Sequence, residues 1–271
     1  MAFDGWRALR PGDGPVLLGV DFSTARSRTV AGFADLAALL PEPYAVWGTD
    51  ESTWRDVGRS PDDPPGAALS DWLDRTAPTV GEPGGLLGYC AGAALAGALA
   101  RRLAQGRPTA PPVVLLDPST VTAETLYDQF NSALDGIAGV LPEAEVRAAR
   151  TAGRDDMSEL LELPRLAARL SDRYAALARP ACAAQGVPAT IADQLCGRVD
   201  TYLRYLLLSS AAPLDVPDTA LVVLSATHEP PPLPGVRQVR LDVPRERLLA
   251  EPRVAEVTVR ALVGAPLAGR A

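Results

Sequence analysis

A five-residue turn, Gly88-Tyr89-Cys90-Ala91-Gly92, joins a short apolar run to an alanine-rich segment and limits the folds open to this chain. A nucleophile between two glycines is typical of a sharp strand-to-helix turn that lifts the middle side chain above a sheet. The glycines let neighbouring backbone approach closely, and the first amides of the helix point toward Cys90. We therefore predict Cys90 as a nucleophile; the alternative is a turn that only packs, with Cys90 as a small buried apolar residue.

The arrangement of apolar runs indicates the fold class. Before residue 118, short apolar runs alternate with segments of helical periodicity, which predicts a parallel sheet with helices on both faces. Residues 118–218 show only helical periodicity, and we interpret Pro180 there as a helix boundary. We therefore predict an α/β core formed by 1–117 and 219–271, with a helical insertion over 118–218. The expected strands cover 16–20, 44–48, 84–90, 113–117, 220–226 and 236–243.

Composition excludes several classes of protein. The 26 basic and 33 acidic residues give a net charge of −7, which argues against non-specific binding of nucleic acid. One histidine and three cysteines, without a C-x-x-C pair, exclude a zinc site and a disulfide framework, and we expect no metal and no cofactor. No run of about 18 uncharged apolar residues and no signal-peptide pattern occur, so we expect a cytoplasmic protein without a membrane partner.

The run LLGYCAGAALAGALARRL, followed by VVLLDPS, resembles the thioesterase domains of polyketide and nonribosomal peptide assembly lines and their stand-alone relatives. Residues 32–50 and 242–262 are similar to further core segments of that family. The resemblance implies an α/β-hydrolase fold in which the insertion is a helical lid. It also implies a monomer whose partner is an acyl carrier protein or peptidyl carrier domain with a phosphopantetheine-linked acyl chain.

The resemblance assigns roles to residues at the turns. Cys90 matches the nucleophile, which is usually serine in the family, and Asp117 matches the acid of the catalytic triad. The amide of Ala91 matches one oxyanion-hole donor. The second donor is expected from the loop of Phe22 and Ser23, with Thr24, although this loop lacks the family's glycines.

The base is where this sequence departs from the family. Arg247 stands where the family has its histidine, and arginine cannot accept a proton. The chain's one histidine, His228, follows a predicted strand, and two interpretations remain open. His228 is either a relocated base, oriented by Asp117 or Glu229, or a solvated loop residue. Asp117 likewise is either a catalytic acid or a turn residue that pairs with Arg247.

The predicted reaction follows from the thiol. A fraction of a thiol is ionised at neutral pH, and an adjacent arginine would favour the thiolate, so Cys90 needs no base to react. We expect Cys90 to take an acyl chain from a carrier thioester and to release it by acyl transfer, cyclisation or slow hydrolysis. The expected substrate contacts are Tyr89, Arg247, Tyr202 and Leu206, the last two being equally compatible with core packing. The alternative is a non-catalytic or non-covalent relative that binds an acyl chain or a carrier.

Overall fold

Seven strands form one mostly parallel sheet with the strand order β1-β3-β2-β4-β5-β6-β7. The computed structural model describes residues 5–22, 30–55, 64–79, 82–160, 162–217 and 219–264. Strand β1 is antiparallel to β3, and all other neighbouring strands are parallel, which confirms the predicted α/β class. The strands are β1 (Trp6–Arg10), β2 (Val16–Val20), β3 (Ala45–Thr49), β4 (Gly85–Tyr89), β5 (Val113–Leu116), β6 (Leu221–Leu224) and β7 (Arg237–Arg240).

Helices connect the strands, and the described part of the long stretch of chain between β5 and β6 contains only helices and loops. None of the described helices is long and apolar enough to cross a membrane. Within the described residues, 3-10 helices cover Ala138–Val140 and Arg245–Ala250. The α-helices are α1 (Phe33–Leu39), α2 (Ser52–Arg55), α3 (Pro65–Thr79), α4 (Gly92–Ala104), α5 (Ala123–Asp135), α6 (Glu143–Glu159), α7 (Leu163–Ala184), α8 (Ala189–Ala211) and α9 (Pro252–Leu262).

The central strands are apolar throughout because both faces of the sheet are covered. In β5, Val114 and Leu116 belong to a core cluster with residues of α1 and α9. The alternate residues Val113 and Leu115 face the opposite side of the sheet and are also buried. Helix α4 packs against β2, β4 and β5. Continuous burial of this kind is typical of parallel strands between helical layers.

The first strand, β1, was not predicted from the sequence. It carries two arginines in five residues, and Trp6 is its one buried side chain. Its pairing joins Trp6 to Thr49 in β3, more than forty residues along the chain, so the partner is not visible in the local pattern. An edge strand needs only one neighbour and tolerates charged side chains, which weakens its signature in the sequence.

The chain divides into two compact units, one containing the sheet and one containing only helices. The sheet unit comprises 1–53, 69–120 and 212–271, and the helical unit comprises 54–68 and 121–211. The sequence interpretation assigned 118–218 to the insertion, whereas the structure places 118–120 and 212–218 in the sheet unit and adds 54–68 to the helical unit. There Trp54 meets the edge of the Tyr205 ring, with the ring centroids 5.0 Å apart.

Helix α7 does not end near Pro180, as the sequence interpretation had it. The helix continues to Ala184 with Pro180 inside it. Buried residues recur at helical spacing on both sides of the proline, from Leu170 and Tyr174 to Ala178 and Ala181. Packing against α8 covers this face, and that burial offsets the hydrogen bond that proline cannot make.

Candidate active site

The turn between β4 and α4 holds Cys90 in a left-handed backbone conformation. Its φ is +54°, a value that L-residues rarely adopt and that is concentrated at functional turns. A Cβ at Gly88 would lie 2.6 Å from the Cα of Ala93, so only glycine fits there. The Cys90 N–H donates to the Leu116 carbonyl, at 3.0 Å, and the Cys90 carbonyl accepts from Ser119 N–H, at 3.2 Å. Backbone contacts therefore fix the Cys90 side chain at the carboxyl edge of the sheet.

The guanidinium of Arg245 is the charged group that contacts the Cys90 thiol. Its Nη2 lies 2.8 Å from Cys90 Sγ, and its central carbon lies 6.0 Å from the centre of the Tyr89 ring. Burial raises the pKa of Tyr89 to about 12 even though Arg245 acts to lower it, so the phenol stays neutral. A permanently charged donor at hydrogen-bonding distance stabilises the thiolate form of a cysteine.

The ring of His228 contacts Arg245 rather than the thiol. Its Nε2 lies 2.9 Å from the Pro118 carbonyl oxygen, and its Nδ1 lies 3.5 Å from Arg245 Nη1. Because a carbonyl oxygen can only accept, Nε2 carries the proton and the Nδ1 lone pair faces the guanidinium. His228 in this position holds Arg245 in place and presents no lone pair to Cys90.

The carboxylate of Asp117 is fully buried and is bound to Ser225. One oxygen accepts from the Ser225 N–H, at 2.8 Å, and the other accepts from the Ser225 hydroxyl, at 2.7 Å. The backbone of Asp117 is left-handed, with a φ of +44°. Within the part of the chain that the structure describes, these contacts tie the end of β5 to the end of β6. The carboxylate does not orient His228 there.

A second carboxyl, that of the half-buried Asp21, lies at the end of β2, the strand next to β4. Its Oδ1 accepts a hydrogen bond from the Phe22 N–H, at 2.7 Å, and its own N–H donates to the Thr49 hydroxyl, at 3.1 Å. Burial raises the pKa of Asp21 to about 7, although the Phe22 N–H acts to lower it. The charge of Asp21 in turn acts on Tyr89, which places this carboxyl in the electrostatic environment of the Cys90 turn.

Comparison with known proteins finds similarity in structure only. No family model matches the sequence, and no curated protein matches it. AB3403, a four-domain nonribosomal peptide synthetase bound to AMP and glycine, matches 97% of this chain with a TM-score of 0.57 and 14% identity; the match spans 20% of that longer chain. The NocB thioesterase domain from the nocardicin cluster matches 96% of this chain and 100% of its own length, with a TM-score of 0.52 and 15% identity. Its covalent complex with a fluorophosphonate nocardicin G analogue matches 95% of this chain and 99% of its own, with a TM-score of 0.51 and 15% identity.

This chain has the fold of a thioesterase domain. The α/β-hydrolase fold expected from the sequence is confirmed by these structures and by the mostly parallel sheet. At such low identity the likeness establishes the architecture alone. The chemistry has to be argued from the residues of this chain.

In this thioesterase fold, several of the predicted residues meet at the sheet edge, but the arginine is a different one. Arg245 contacts Cys90, whereas the sequence interpretation gave that place to Arg247, whose side chain is exposed. The reason lies in the backbone before the 3-10 helix. The Ala226 N–H donates to the Val243 carbonyl, at 2.9 Å, so the chain is still attached to the end of β6 at Val243. Arg245 therefore emerges directly above the edge, and Arg247 follows about two-thirds of a turn later along the 3-10 helix.

The two predicted oxyanion-hole donors that the structure describes, the amides of Ala91 and Phe22, differ in whether they already have an acceptor. Ala91 lies directly before α4, where the first amides of a helix have no acceptor within it. The Phe22 N–H is bound to its neighbour Asp21, so it is not free to bind an oxyanion. Ser23 and Thr24 lie outside the described residues. Glu229, considered as an orienting group for His228, is exposed and lies 3.4 Å from Arg240.

The remaining predicted substrate contacts belong to helix α8 of the helical unit. Leu206 is only 2% exposed and lies in the core of that unit. Tyr202 is partly exposed and stacks on Tyr205, with the ring centroids 6.0 Å apart. Core packing thus accounts for Leu206, while Tyr202 is only half-buried.

Sequence reasoning missed two residues of the site, Arg245 and Asp21. Arg245 lies two residues before Arg247, the arginine that the sequence interpretation chose, and the signal for it was its closeness to the end of the last predicted strand. Asp21 directly follows the predicted strand 16–20, and the sequence interpretation gave it no role. An aspartate that ends one parallel strand beside a strand ending in the nucleophile was the available signal.

Proposed function

We propose that Cys90 accepts an acyl chain from the thioester of an acyl carrier protein or peptidyl carrier domain and passes it to a second acceptor. The proposal rests mainly on one observation, the 2.8 Å contact between Arg245 Nη2 and Cys90 Sγ at a left-handed strand-to-helix turn. A thiol that only filled space would not need a charged partner at the edge of the sheet. The thioesterase fold and the likeness to a nonribosomal peptide synthetase and to the NocB thioesterase domain support a role in the assembly of a peptide natural product.

The first half of the reaction needs no base. The Cys90 thiolate attacks the carbonyl carbon of the carrier thioester, and a new C–S bond to Cys90 forms. The C–S bond to the pantetheine arm then breaks, and its sulfur leaves as a thiolate that takes a proton from water. One thioester replaces another, so the exchange is nearly balanced in free energy, and stabilisation of the thiolate by Arg245 maintains the reactive form.

The second half depends on the acceptor. Within the described residues, His228 faces Arg245 and Asp117 is held by Ser225, so neither is placed to activate water at Cys90. Water is a poor nucleophile without a base, whereas an amine attacks a thioester unaided. Acyl transfer to an amine, or cyclisation through a nucleophile of the chain itself, is therefore favoured over rapid hydrolysis.

Intact-protein mass spectrometry after mixing with acyl-pantetheine thioesters of several chain lengths tests this proposal. We expect a mass increase equal to the acyl group, which persists in buffer and disappears when a small amine is added. Cys90→Ala should abolish the adduct. Cys182→Ala, which removes another partly exposed thiol, should keep it.

Among the residues that the structure describes, neither His228 nor Asp117 is placed to act as a base at Cys90. This also favours a second candidate, a homologue that binds an acyl chain or carrier without reacting. Absence of any adduct and of any turnover, with folded protein and an alkylatable Cys90, would exclude the covalent proposal. Retention of acyl-pantetheine by the unreacted protein, measured by calorimetry, would then support the binding function.

A further inference from the structure

The usual second donor of an oxyanion hole is not available at Phe22. Its N–H donates to Asp21 Oδ1, at 2.7 Å, and Phe22 itself is buried. An oxyanion approaching this amide would have to displace the carboxyl and, when Asp21 is ionised, would meet a like charge. Of these two described amides, only that of Ala91 would then face the negative charge that develops on a thioester oxygen.

Instead, a charged hydrogen-bond donor, Arg245, contacts the sulfur atom that reacts. Arg245 Nη2 is 2.8 Å from Cys90 Sγ, and the oxygen of a tetrahedral intermediate on Cys90 is only two bonds away from that sulfur. An oxyanion donor works from about 2.7–3.1 Å. A small movement of Nη2 from the sulfur to that oxygen gives such a distance.

The guanidinium is held independently of Cys90. Arg245 Nη1 faces His228 Nδ1 at 3.5 Å, and the Tyr89 ring lies alongside the guanidinium. The His228 ring is in turn fixed by its bond to the Pro118 carbonyl. Arg245 therefore stays oriented after the thiolate charge has been lost to the substrate, which is what an effective electrostatic catalyst requires.

We infer that Arg245 is a catalytic residue that binds the oxyanion of the acyl chain on Cys90, in place of the Phe22 amide. This inference rests on the proposed acyl transfer to Cys90. As the thiolate attacks, the carbonyl π electrons move onto oxygen, and the Nη2 contact passes from sulfur to that oxygen. When the pantetheine C–S bond breaks, the carbonyl re-forms and the charge leaves with the pantetheine sulfur. No other reactant is needed.

Two reactions of the same thiol separate this role from simple stabilisation of the thiolate. Alkylation of Cys90 by iodoacetamide needs the thiolate but forms no oxyanion, whereas acylation by acyl-pantetheine needs both. We would measure both rate constants at Cys90 by peptide-resolved mass spectrometry for the wild type, Arg245→Gln and Arg245→Lys. Arg253→Gln, which removes the same charge from an exposed position on α9, is the matched control.

We expect alkylation to fall about tenfold in Arg245→Gln and acylation to fall about a hundred- to a thousandfold, so their ratio falls at least tenfold. Arg245→Lys should keep the alkylation rate closer to that of the wild type, while the ratio of acylation rate to alkylation rate also falls. Arg253→Gln should change neither rate. Equal losses in the two reactions would overturn the role at the oxyanion and leave Cys90 acylation intact. Wild-type protein that is alkylated but never acylated would instead contradict the proposed function.

Discussion

The turn after β4 and the segment after β7 both reach the carboxyl edge of the sheet, but they are held there by different forces. At the β4 turn, a glycine without room for a Cβ and a left-handed Cys90 fix the position through the backbone. The segment after β7 begins at an edge strand whose residues are largely exposed, and it is held by hydrogen bonds to β6 and by Arg240. Arg240 Nη1 donates to the carbonyls of Ser225, Ala226 and His228.

The difference shows which parts of the site are free to change. A residue at position 90 must accept the conformation of the turn, so the place of the nucleophile follows from the fold. The side chain that meets it after β7 is set by the local course of a loop, and an arginine there leaves the sheet unaltered. The chemistry of this edge can therefore differ from that of other thioesterase folds without a cost to the architecture.

The largest expected effect is at the backbone-determined turn. Gly88→Ala places a Cβ 2.6 Å from the Ala93 Cα and 2.9 Å from the Ala96 Cβ, so the start of α4 must shift. We expect a loss of about 3 kcal/mol in the free energy of unfolding, measured by urea denaturation. Gly197→Ala, in α8 with open space around it, should instead stabilise by roughly 0.5–1 kcal/mol. An unchanged Gly88→Ala protein would show that the turn is not sterically fixed.

A smaller loss is expected where β5 is tied to β6. Ser225→Ala removes one of the two hydrogen bonds to the buried Asp117 carboxylate and leaves that oxygen without its donor. The free energy of unfolding should fall by about 2 kcal/mol. Ser119→Ala is the matched control, because its hydroxyl only reaches the Asp117 carbonyl, at 3.3 Å, and it should cost less than about 1 kcal/mol. Equal costs would mean that the Ser225 hydroxyl does not stabilise the carboxylate.

Asp21, at the end of β2, makes the free energy of unfolding depend on pH. Burial raises the pKa of Asp21 from 3.8 to about 7, so the folded protein binds this proton more tightly than the unfolded chain. The resulting stability is complete below about pH 4 and is lost as the pH rises through about 7. Between pH 4 and 8, the unfolding free energy of Asp21→Asn should therefore rise relative to that of the wild type, by on the order of 1–2 kcal/mol. Parallel denaturation curves across this range would show that Asp21 is solvated.

The sequence predicts the features that depend on local backbone patterns better than those that depend on contacts with distant segments. The apolar strands Val16–Val20 and Val113–Leu116 and the turn at Cys90 are local patterns, and the structure has them where they were expected. The strand Trp6–Arg10 and the choice of Arg245 over Arg247 depend on hydrogen bonds to distant segments, which no local pattern records. The raised pKa of Asp21 likewise arises only when neighbouring strand ends cover it.

The smallest expected effect concerns the one histidine. His228→Gln removes the imidazole whose Nδ1 faces Arg245, but an amide oxygen can accept from the same guanidinium. We expect alkylation of Cys90 to slow about two- to threefold, equivalent to roughly 0.5 kcal/mol, and Gln238→Ala on the exposed face of β7 to have no effect.

The same variant tests whether His228 positions Arg245 or acts as a base. If His228 were the general base for release, the decay of the Cys90 acyl adduct in water would slow by about a hundredfold or more in His228→Gln. Because the Nδ1 lone pair is directed at the guanidinium, we expect that decay to change by less than about threefold. Single-turnover mass spectrometry of the pre-formed adduct measures it directly. A hundredfold slower decay of the adduct would show that His228, in the segment after β6, acts as a general base beside Arg245.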